Sequence, residues 1–112
     1  MSAAIDLCSR KCAPLSGSDA PLRQDEINVL LGQLDHWAQY DRLIGRTFEF
    51  SNHYETLAFV NALAWVSHRE DHHPELTVGY NKCHVEYTTH AIGGLSDNDF
   101  ICAAKVDALF KI

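Results

Sequence analysis

The sequence predicts an α+β domain, in which a four-stranded antiparallel sheet carries about three helices packed on one of its faces. The first observation behind this prediction is the order of the patterns along the chain, which is helix, strand, strand, helix, strand, strand, helix. The second is the size and composition. A chain of 112 residues, 46% of them apolar and 21% charged, is typical of one small globular domain.

The N-terminal residues 1–21 contain Ser, Gly, Pro and Ala without an apolar period, which predicts a flexible arm. The folded domain is therefore predicted over residues 22–112. Its first helix is predicted over residues 23–34 and has two acids, Asp25 and Glu26, near its positive end. The apolar positions that follow have the three-and-four spacing of a helix: Ile27, Leu30, Leu31 and Leu34.

A hairpin and a long second helix come next. The stretch HWAQYDRLIGRTFEF is rich in apolar and aromatic side chains, and the polar pair Asp41-Arg42 interrupts it where a turn can form. Ser51 or Asn52 can cap the second helix. This helix must end before Pro74, because proline lacks the amide hydrogen and disfavours helical geometry in the residue before it. Its apolar face is predicted to contain Leu57, Ala58, Val60, Ala62, Ala64 and Trp65, with Trp65 expected in the core together with Trp37.

The C-terminal part of the chain predicts two more strands and a helix. The segments LTVGY and CHVEYTTH are strand-like and are separated by a turn at Asn81-Lys82. Ser96 can cap a last helix that runs to about Phe110, with Asp99 at the third position of a capping box. Alternation in the second strand directs Val85, Tyr87 and Thr89 to one face and His84, Glu86, Thr88 and His90 to the other.

The charge pattern argues against a nucleic-acid ligand. The net charge is -6, and apart from Arg10-Lys11 the 9 Lys and Arg residues stand singly, so no basic stripe is available to neutralise phosphates. No apolar run approaches the roughly 18 residues of a membrane span, and the N-terminus lacks the apolar stretch of a signal peptide. We therefore expect no membrane contact and a cytoplasmic location, where the four cysteines are expected to be thiols.

The stretch SHREDHHPE, residues 67–75, concentrates three histidines and three acids. Histidine exchanges protons near neutral pH, so His72 and His73, joined by His90 if the fold brings it near, would suit acid–base catalysis around one ligand. Two other interpretations stay open. His68 and His72 have the i, i+4 spacing of helical metal ligands, although the run lacks the glutamate of HExxH and no C-x-x-C pair lies nearby. The same histidines could also be solvated side chains on a polar helix face.

Residues 70–100, EDHHPELTVGYNKCHVEYTTHAIGGLSDNDF, resemble the signature of the pterin-4a-carbinolamine dehydratases. The shared features are an acid before His-His-Pro, an aromatic residue after a short strand, NKxH, a Thr-His pair, and GLS followed by an acid. The helices and the hairpin are compatible with the same family over about residues 22–110, and the Cys-containing arm is similar to extensions of bacterial members. The resemblance also implies helices on one face of a four-stranded antiparallel sheet.

The resemblance implies an enzyme that removes water from 4a-hydroxytetrahydropterin to give quinonoid dihydropterin. This reaction recycles the cofactor of aromatic amino acid hydroxylases, and the family uses no metal and no organic cofactor. The matching catalytic positions in this sequence are His72, His73 and His90, and the matching substrate-binding positions are Asp71, Thr88 and Asp99.

The sequence departs from the family pattern at one position, where many relatives carry a glutamate and this chain has His68. A carboxylate there would raise the basicity of a nearby imidazole, which a second imidazole would not, so the tuning of His72 is expected to differ. Members of the family form homodimers or homotetramers, and the same assembly is expected. Some animal members also bind a homeodomain transcription factor, so a non-catalytic protein-binding module is the alternative to an enzyme.

Overall fold

The computed structural model describes residues 6–109, in which seven helices and strands follow one another in the predicted order. They are α1 (Gln24–Leu31), β1 (Ala38–Tyr40), β2 (Leu43–Glu49), α2 (His53–Glu70), β3 (Glu75–Val78), β4 (Lys82–Tyr87) and α3 (Asp97–Ala108). Short 3-10 turns lie at Leu7–Ser9 and His90–Ile92. The strands form one antiparallel sheet in the order β1-β2-β4-β3. The predicted α+β fold is confirmed, while Phe110, the predicted end of the last helix, lies outside the described residues.

The two central strands, β2 and β4, have one buried and one polar face. The buried face is formed by Ile44, Phe48, Cys83, Val85 and Tyr87, each 2% exposed or less. On the other face, His84 of β4 joins the two strands through its Nδ1, which lies 2.7 Å from Thr47 Oγ1 of β2, while its Nε2 lies 3.1 Å from Oε2 of Glu86 on its own strand. The predicted alternation is therefore confirmed within β4. The strand ends at Tyr87, and the alternation of burial continues beyond it, with Thr89 buried and His90 exposed at the start of a 3-10 turn.

The second helix, α2, begins as predicted but buries a different face. Asn52 is its cap, and the side-chain oxygen accepts the Glu55 N–H at 2.9 Å. The buried residues are Thr56, Phe59, Leu63 and Glu70. Trp65 is 62% exposed, so its predicted place in the core is wrong. Apolar residues occur on both sides of α2, so the spacing of apolar residues could not show which side is buried, and the predicted side was wrong. Within the described residues, no helix has the combination of length and apolar character that crossing a membrane requires.

The other tryptophan, Trp37, is in the core as predicted and is 8% exposed. Its indole N–H donates to the Asp107 carboxylate at 2.9 Å, and Arg46 Nη1 lies 2.8 Å from the same carboxylate. Burial raises the pKa of Asp107 above its ordinary value despite these two partners. This network ties β2 to the C-terminal end of α3 and lies apart from the histidine cluster.

The arm packs on α3 through the segment from Leu7 to Ala13. Leu7 is 3% exposed and belongs to the core. Three polar contacts anchor the segment that follows it: Lys105 Nζ to the Cys8 carbonyl oxygen at 2.7 Å, Arg10 to Asp97 at 3.0 Å, and the Cys12 N–H to Glu70 Oε1 at 2.8 Å. The structure thus places the predicted flexible arm against the domain. Its mobility in solution and the domain boundary near residue 22 stay predictions.

Candidate active site

A pocket of about 340 Å³ opens where the C-terminal end of α2 meets the segment that follows β4. Five of the six site residues predicted from the sequence line it: Asp71, His72, His73, Thr88 and His90. The sixth, Asp99, is fully buried behind His72 and contacts its ring. The convergence of His90 with the His-His pair, which no sequence spacing could establish, is therefore present in the fold.

The end of α2 explains how the two neighbouring histidines reach the pocket. Asp71 caps the helix in the left-handed conformation, with φ 52° and ψ 43°, which Asp adopts more readily than most residues. The N–H groups of Asp71 and His72 both donate to the Ser67 carbonyl oxygen and close the last turn. Pro74 prevents the helix from continuing. His72 consequently lies beyond the helix end and does not share a helix face with His68.

The His72 ring is fixed by a buried carboxylate. Its Nε2 lies 2.7 Å from Asp99 Oδ1. The other oxygen, Asp99 Oδ2, accepts the Ser96 N–H at 2.9 Å and the Thr89 hydroxyl at 2.8 Å. Because Asp99 accepts all of these bonds, the proton on the short contact belongs to His72 Nε2. In the neutral imidazole, Nδ1 is then the nitrogen that can accept a proton.

An aromatic ring supports His72 from β4. The rings of His72 and Tyr87 are stacked, with centroids 5.7 Å apart and planes inclined by 12°. Burial raises the pKa of the Tyr87 phenol far above its ordinary value, so this group stays neutral. The orientation of His72 is therefore set by α3 through the carboxylate and by β4 through the ring.

The other two histidines, His73 and His90, are exposed on the pocket wall. Among residues 6–109, neither ring has a hydrogen-bond partner, so both are free to bind a ligand. The Thr88 hydroxyl donates to the Arg42 carbonyl oxygen. Thr88 and His90 also border an adjoining pocket of about 320 Å³. A ligand larger than the first pocket therefore has room to extend past these two residues.

The arm provides a wall that sequence reasoning missed, because Ala13, Pro14 and Leu15 line the pocket. The Asn98 side chain holds this wall in place. Its Oδ1 accepts the Ala13 N–H at 3.0 Å, and its Nδ2 donates to the Ala13 carbonyl oxygen at 2.8 Å. The arm has no apolar period from which docking could be predicted. The only sequence signal for Asn98 is that it is a polar residue in the first turn of the last helix, next to the predicted site residue Asp99.

The geometry does not support the metal interpretation of His68 and His72. The His68 ring is exposed and stacks on Trp65, with centroids 5.4 Å apart, whereas His72 turns toward Asp99. Within the described part of the chain, no three His, Cys, Asp or Glu side chains are grouped in a way that could hold a metal ion. The carboxylate that contacts His72 belongs to Asp99 on α3. This imidazole therefore has an acidic partner even though position 68 holds a histidine in place of the glutamate that many relatives carry.

Comparison with known proteins identifies the family. Residues 20–109 match the family model described as Pterin 4 alpha carbinolamine dehydratase. The chain belongs to the pterin-4-alpha-carbinolamine dehydratase family. Relatives from Nitrosospira multiformis and Nitrosomonas europaea, which carry this dehydratase name provisionally, are 63% and 62% identical to it. The alignments cover 96% and 99% of this chain and 95% and 99% of the relatives.

Two solved structures share the carbinolamine dehydratase fold. The crystal structure of a transcriptional coactivator/pterin dehydratase from Brucella melitensis matches with a TM-score of 0.77 and 31% identity, over 80% of this chain and 97% of that one. A pterin dehydratase-like protein described as a RuBisCO assembly factor in the alpha-carboxysome matches with a TM-score of 0.56 and 26% identity, over 65% of this chain and 84% of that one. The two names attach different roles to one fold, so activity must be argued from the site.

Proposed function

We propose that the protein is a 4a-hydroxytetrahydropterin dehydratase, which converts this carbinolamine to quinonoid dihydropterin and water without a metal or organic cofactor. The observation that supports the proposal is the single pocket shared by His72, His73 and His90, in which His72 is held by Asp99. A volume of about 340 Å³ suits a small bicyclic ligand. The nearly full-length match to relatives named for this reaction gives independent support.

The reaction requires two proton transfers, which the imidazoles can provide near neutral pH. The C4a–O bond breaks as a proton reaches the hydroxyl oxygen, which leaves as water. Loss of the N5 proton allows the C4a–N5 double bond to form. We assign proton removal to His72, since its Nε2 donates to Asp99 and Nδ1 is its acceptor nitrogen. Proton delivery to the leaving oxygen falls to His73 or His90, which have no protein partner among the described residues.

The polar residues around the histidines have two different proposed roles. Asp71 and Thr88 line the pocket and are proposed to contact the substrate. Asp99 is fully buried and is proposed to act through His72 and not through a substrate contact. The proposed setting is the cytoplasm, where the product would return to the pterin cofactor of an aromatic amino acid hydroxylase.

The experiment that tests the proposed function is a turnover assay with purified protein before and after treatment with a strong chelator. The protein should accelerate dehydration of 4a-hydroxytetrahydropterin over the rate in buffer, and the chelated sample should keep its full rate. The rate should fall as the pH is lowered through the range in which histidines take up a proton, since the required base is then occupied. Elemental analysis should find no stoichiometric metal.

Two outcomes of this assay would overturn the proposal. Activity that vanishes on chelation and returns with zinc would mean that the histidines act as metal ligands, because a chelator removes a bound metal and leaves free imidazoles unchanged. A folded protein that neither turns over the carbinolamine nor binds an oxidised pterin in isothermal titration calorimetry would favour a protein-binding module. Calorimetry suits the binding measurement because neither tryptophan lines the pocket.

The protein is also proposed to form a homodimer or homotetramer. Tyr54, Leu57 and Trp65 are exposed on one side of α2, at 85%, 42% and 62%, and an apolar surface of this kind on a small domain favours association. We expect the Trp65→Glu variant to have a smaller sedimentation coefficient than the wild-type protein. Val29→Glu is the matched control, since Val29 is 66% exposed on α1 and should leave assembly unchanged. A wild-type protein that sediments as a monomer at micromolar concentration would contradict this prediction.

A further inference from the structure

Two thiols from distant parts of the chain lie next to each other beside the pocket. Cys12 Sγ, on the arm, is 3.5 Å from Cys102 Sγ, on α3, across 90 positions of sequence. We propose that Cys12 and Cys102 form an oxidation site, at which a peroxide converts the pair to a disulfide that ties the arm to α3. The inference does not depend on the proposed reaction.

The backbone around Cys12 is held in place by hydrogen bonds to side chains of α2 and α3. The Cys12 N–H donates to Glu70 Oε1 at 2.8 Å, and the next residue, Ala13, makes two hydrogen bonds with Asn98. A disulfide bond is about 2.05 Å long, so the two sulfur atoms must approach by only about 1.5 Å. Small side-chain rotations can supply this movement, and the fold need not change.

The anchor at Glu70 is ionised at neutral pH. Burial raises its pKa, but the Cys12 N–H and the Lys105 and Lys11 charges outweigh burial and hold the pKa below its ordinary value. A carboxyl whose pKa is lowered by folding contributes stability above its unfolded pKa and loses it as the pH falls through the folded pKa. The contact that positions Cys12 is therefore present at neutral pH and weakens only in acid.

The two cysteines differ in access, which sets the order of the reaction. Cys102 is fully buried, and the hydrogen bond with Cys12, together with burial, raises the pKa of its thiol. Cys12 is partly exposed and is the sulfur that peroxide can reach. The Cys12 thiol loses its proton, the thiolate attacks one peroxide oxygen, and the O–O bond breaks to give a sulfenic acid and hydroxide, which takes up that proton and leaves as water. The Cys102 sulfur then attacks Cys12 Sγ, gives up its proton and expels a second water.

The overall change is balanced: two thiols and one hydrogen peroxide give one disulfide and two waters, and a dithiol reductant reverses it. The bond would connect two segments that lie next to the pocket, the arm and α3. Ala13, directly after Cys12, begins the arm wall, and Cys102 Sγ lies 4.0 Å from the His72 carbonyl oxygen. Oxidation would therefore fix the arm wall next to a candidate catalytic histidine.

The test is to treat the folded protein with hydrogen peroxide, digest it with trypsin without reductant and analyse the peptides by mass spectrometry. Cleavage after Lys11, Arg23, Lys82 and Lys105 places Cys12 on peptide 12–23, and both Cys83 and Cys102 on peptide 83–105. The expected product joins these two peptides with the loss of two hydrogens. Fragmentation between Cys83 and Cys102 should assign the bond to Cys102.

Variants make the outcome decisive. Cys8→Ser should give the same cross-link, because Cys8 is exposed and takes no part in the pair. Cys12→Ser should give none. Oxidation should raise the Tm of the wild-type protein and of Cys8→Ser by on the order of 10 °C, reversibly with reductant, since the bond closes a long loop. It should leave the Tm of Cys12→Ser unchanged. A bond from Cys12 to Cys8 or Cys83, a bond between chains, or a wild-type protein that forms no bond would overturn the proposal.

Discussion

Replacing His72 or His73 with alanine is expected to reduce the rate of carbinolamine dehydration by roughly 10²-fold or more, the usual size of a general acid–base contribution. The His90→Ala variant should also lose activity, because His90 lines the same pocket from the opposite segment. The three losses should appear mainly in kcat, since proton transfer is needed in the transition state and not for substrate binding.

His84→Ala is the matched control for these variants. His84 is also a histidine of the C-terminal half, but it lies on the polar face of β4, bonded to Thr47 and Glu86. It should turn over at nearly the wild-type rate. The assay would count against histidine catalysis if the three pocket variants, folded by circular dichroism, were as active as His84→Ala.

The elements that could be predicted from the sequence are those whose local residue pattern is compatible with only one type of secondary structure and one buried face. In β4 the polar and apolar side chains alternate strictly, so Val85 and Tyr87 had to face the core once the segment was a strand. Both ends of α2 were equally determined, because a cap residue was available before its start, at Asn52, and Pro74 excludes a continued helix beyond its end. These local constraints place the His-His pair at a helix end.

The features that the sequence could not predict depend on packing between distant segments. Trp65 was expected in the core because it lies on the predicted apolar face and aromatic side chains tend to be buried. Apolar residues lie on both sides of α2, however, and only the position of α3 and the sheet decides which side is buried. The arm wall at Ala13 depends on the Asn98 side chain, 85 positions away. Asp99 was predicted as a site residue, but its contact with His72 needed the three-dimensional path of the chain.

The carboxylate of Asp99 should determine both the stability of the site and the tautomer of His72. Asp99→Ala removes the acceptor shared by three donors, namely Ser96 N–H, the Thr89 hydroxyl and His72 Nε2, and of these the Thr89 hydroxyl has Ser96 Oγ, 2.7 Å away, as a second possible acceptor. Because two of these groups are buried, we expect the free energy of unfolding to fall by about 3 kcal/mol. Asp97→Ala is the control on the same helix turn. Its side chain is 45% exposed in a pair with Arg10, so the loss should stay below about 1 kcal/mol.

Asp99→Asn separates tautomer from stability. The amide oxygen can still accept from Ser96 and Thr89, but the amide nitrogen then faces His72 Nε2 and donates to it. The His72 proton must move to Nδ1, which removes the acceptor nitrogen that we assign to N5 deprotonation. We expect kcat to fall by at least roughly 10²-fold with KM little changed, while the Tm stays close to that of the wild-type protein. Nitrogen-15 NMR of the His72 ring should report the exchange of tautomers directly. If Asp99→Asn turned over at the wild-type rate with the tautomer exchanged, His72 would not be the base, and proton removal would have to be reassigned to His73 or His90.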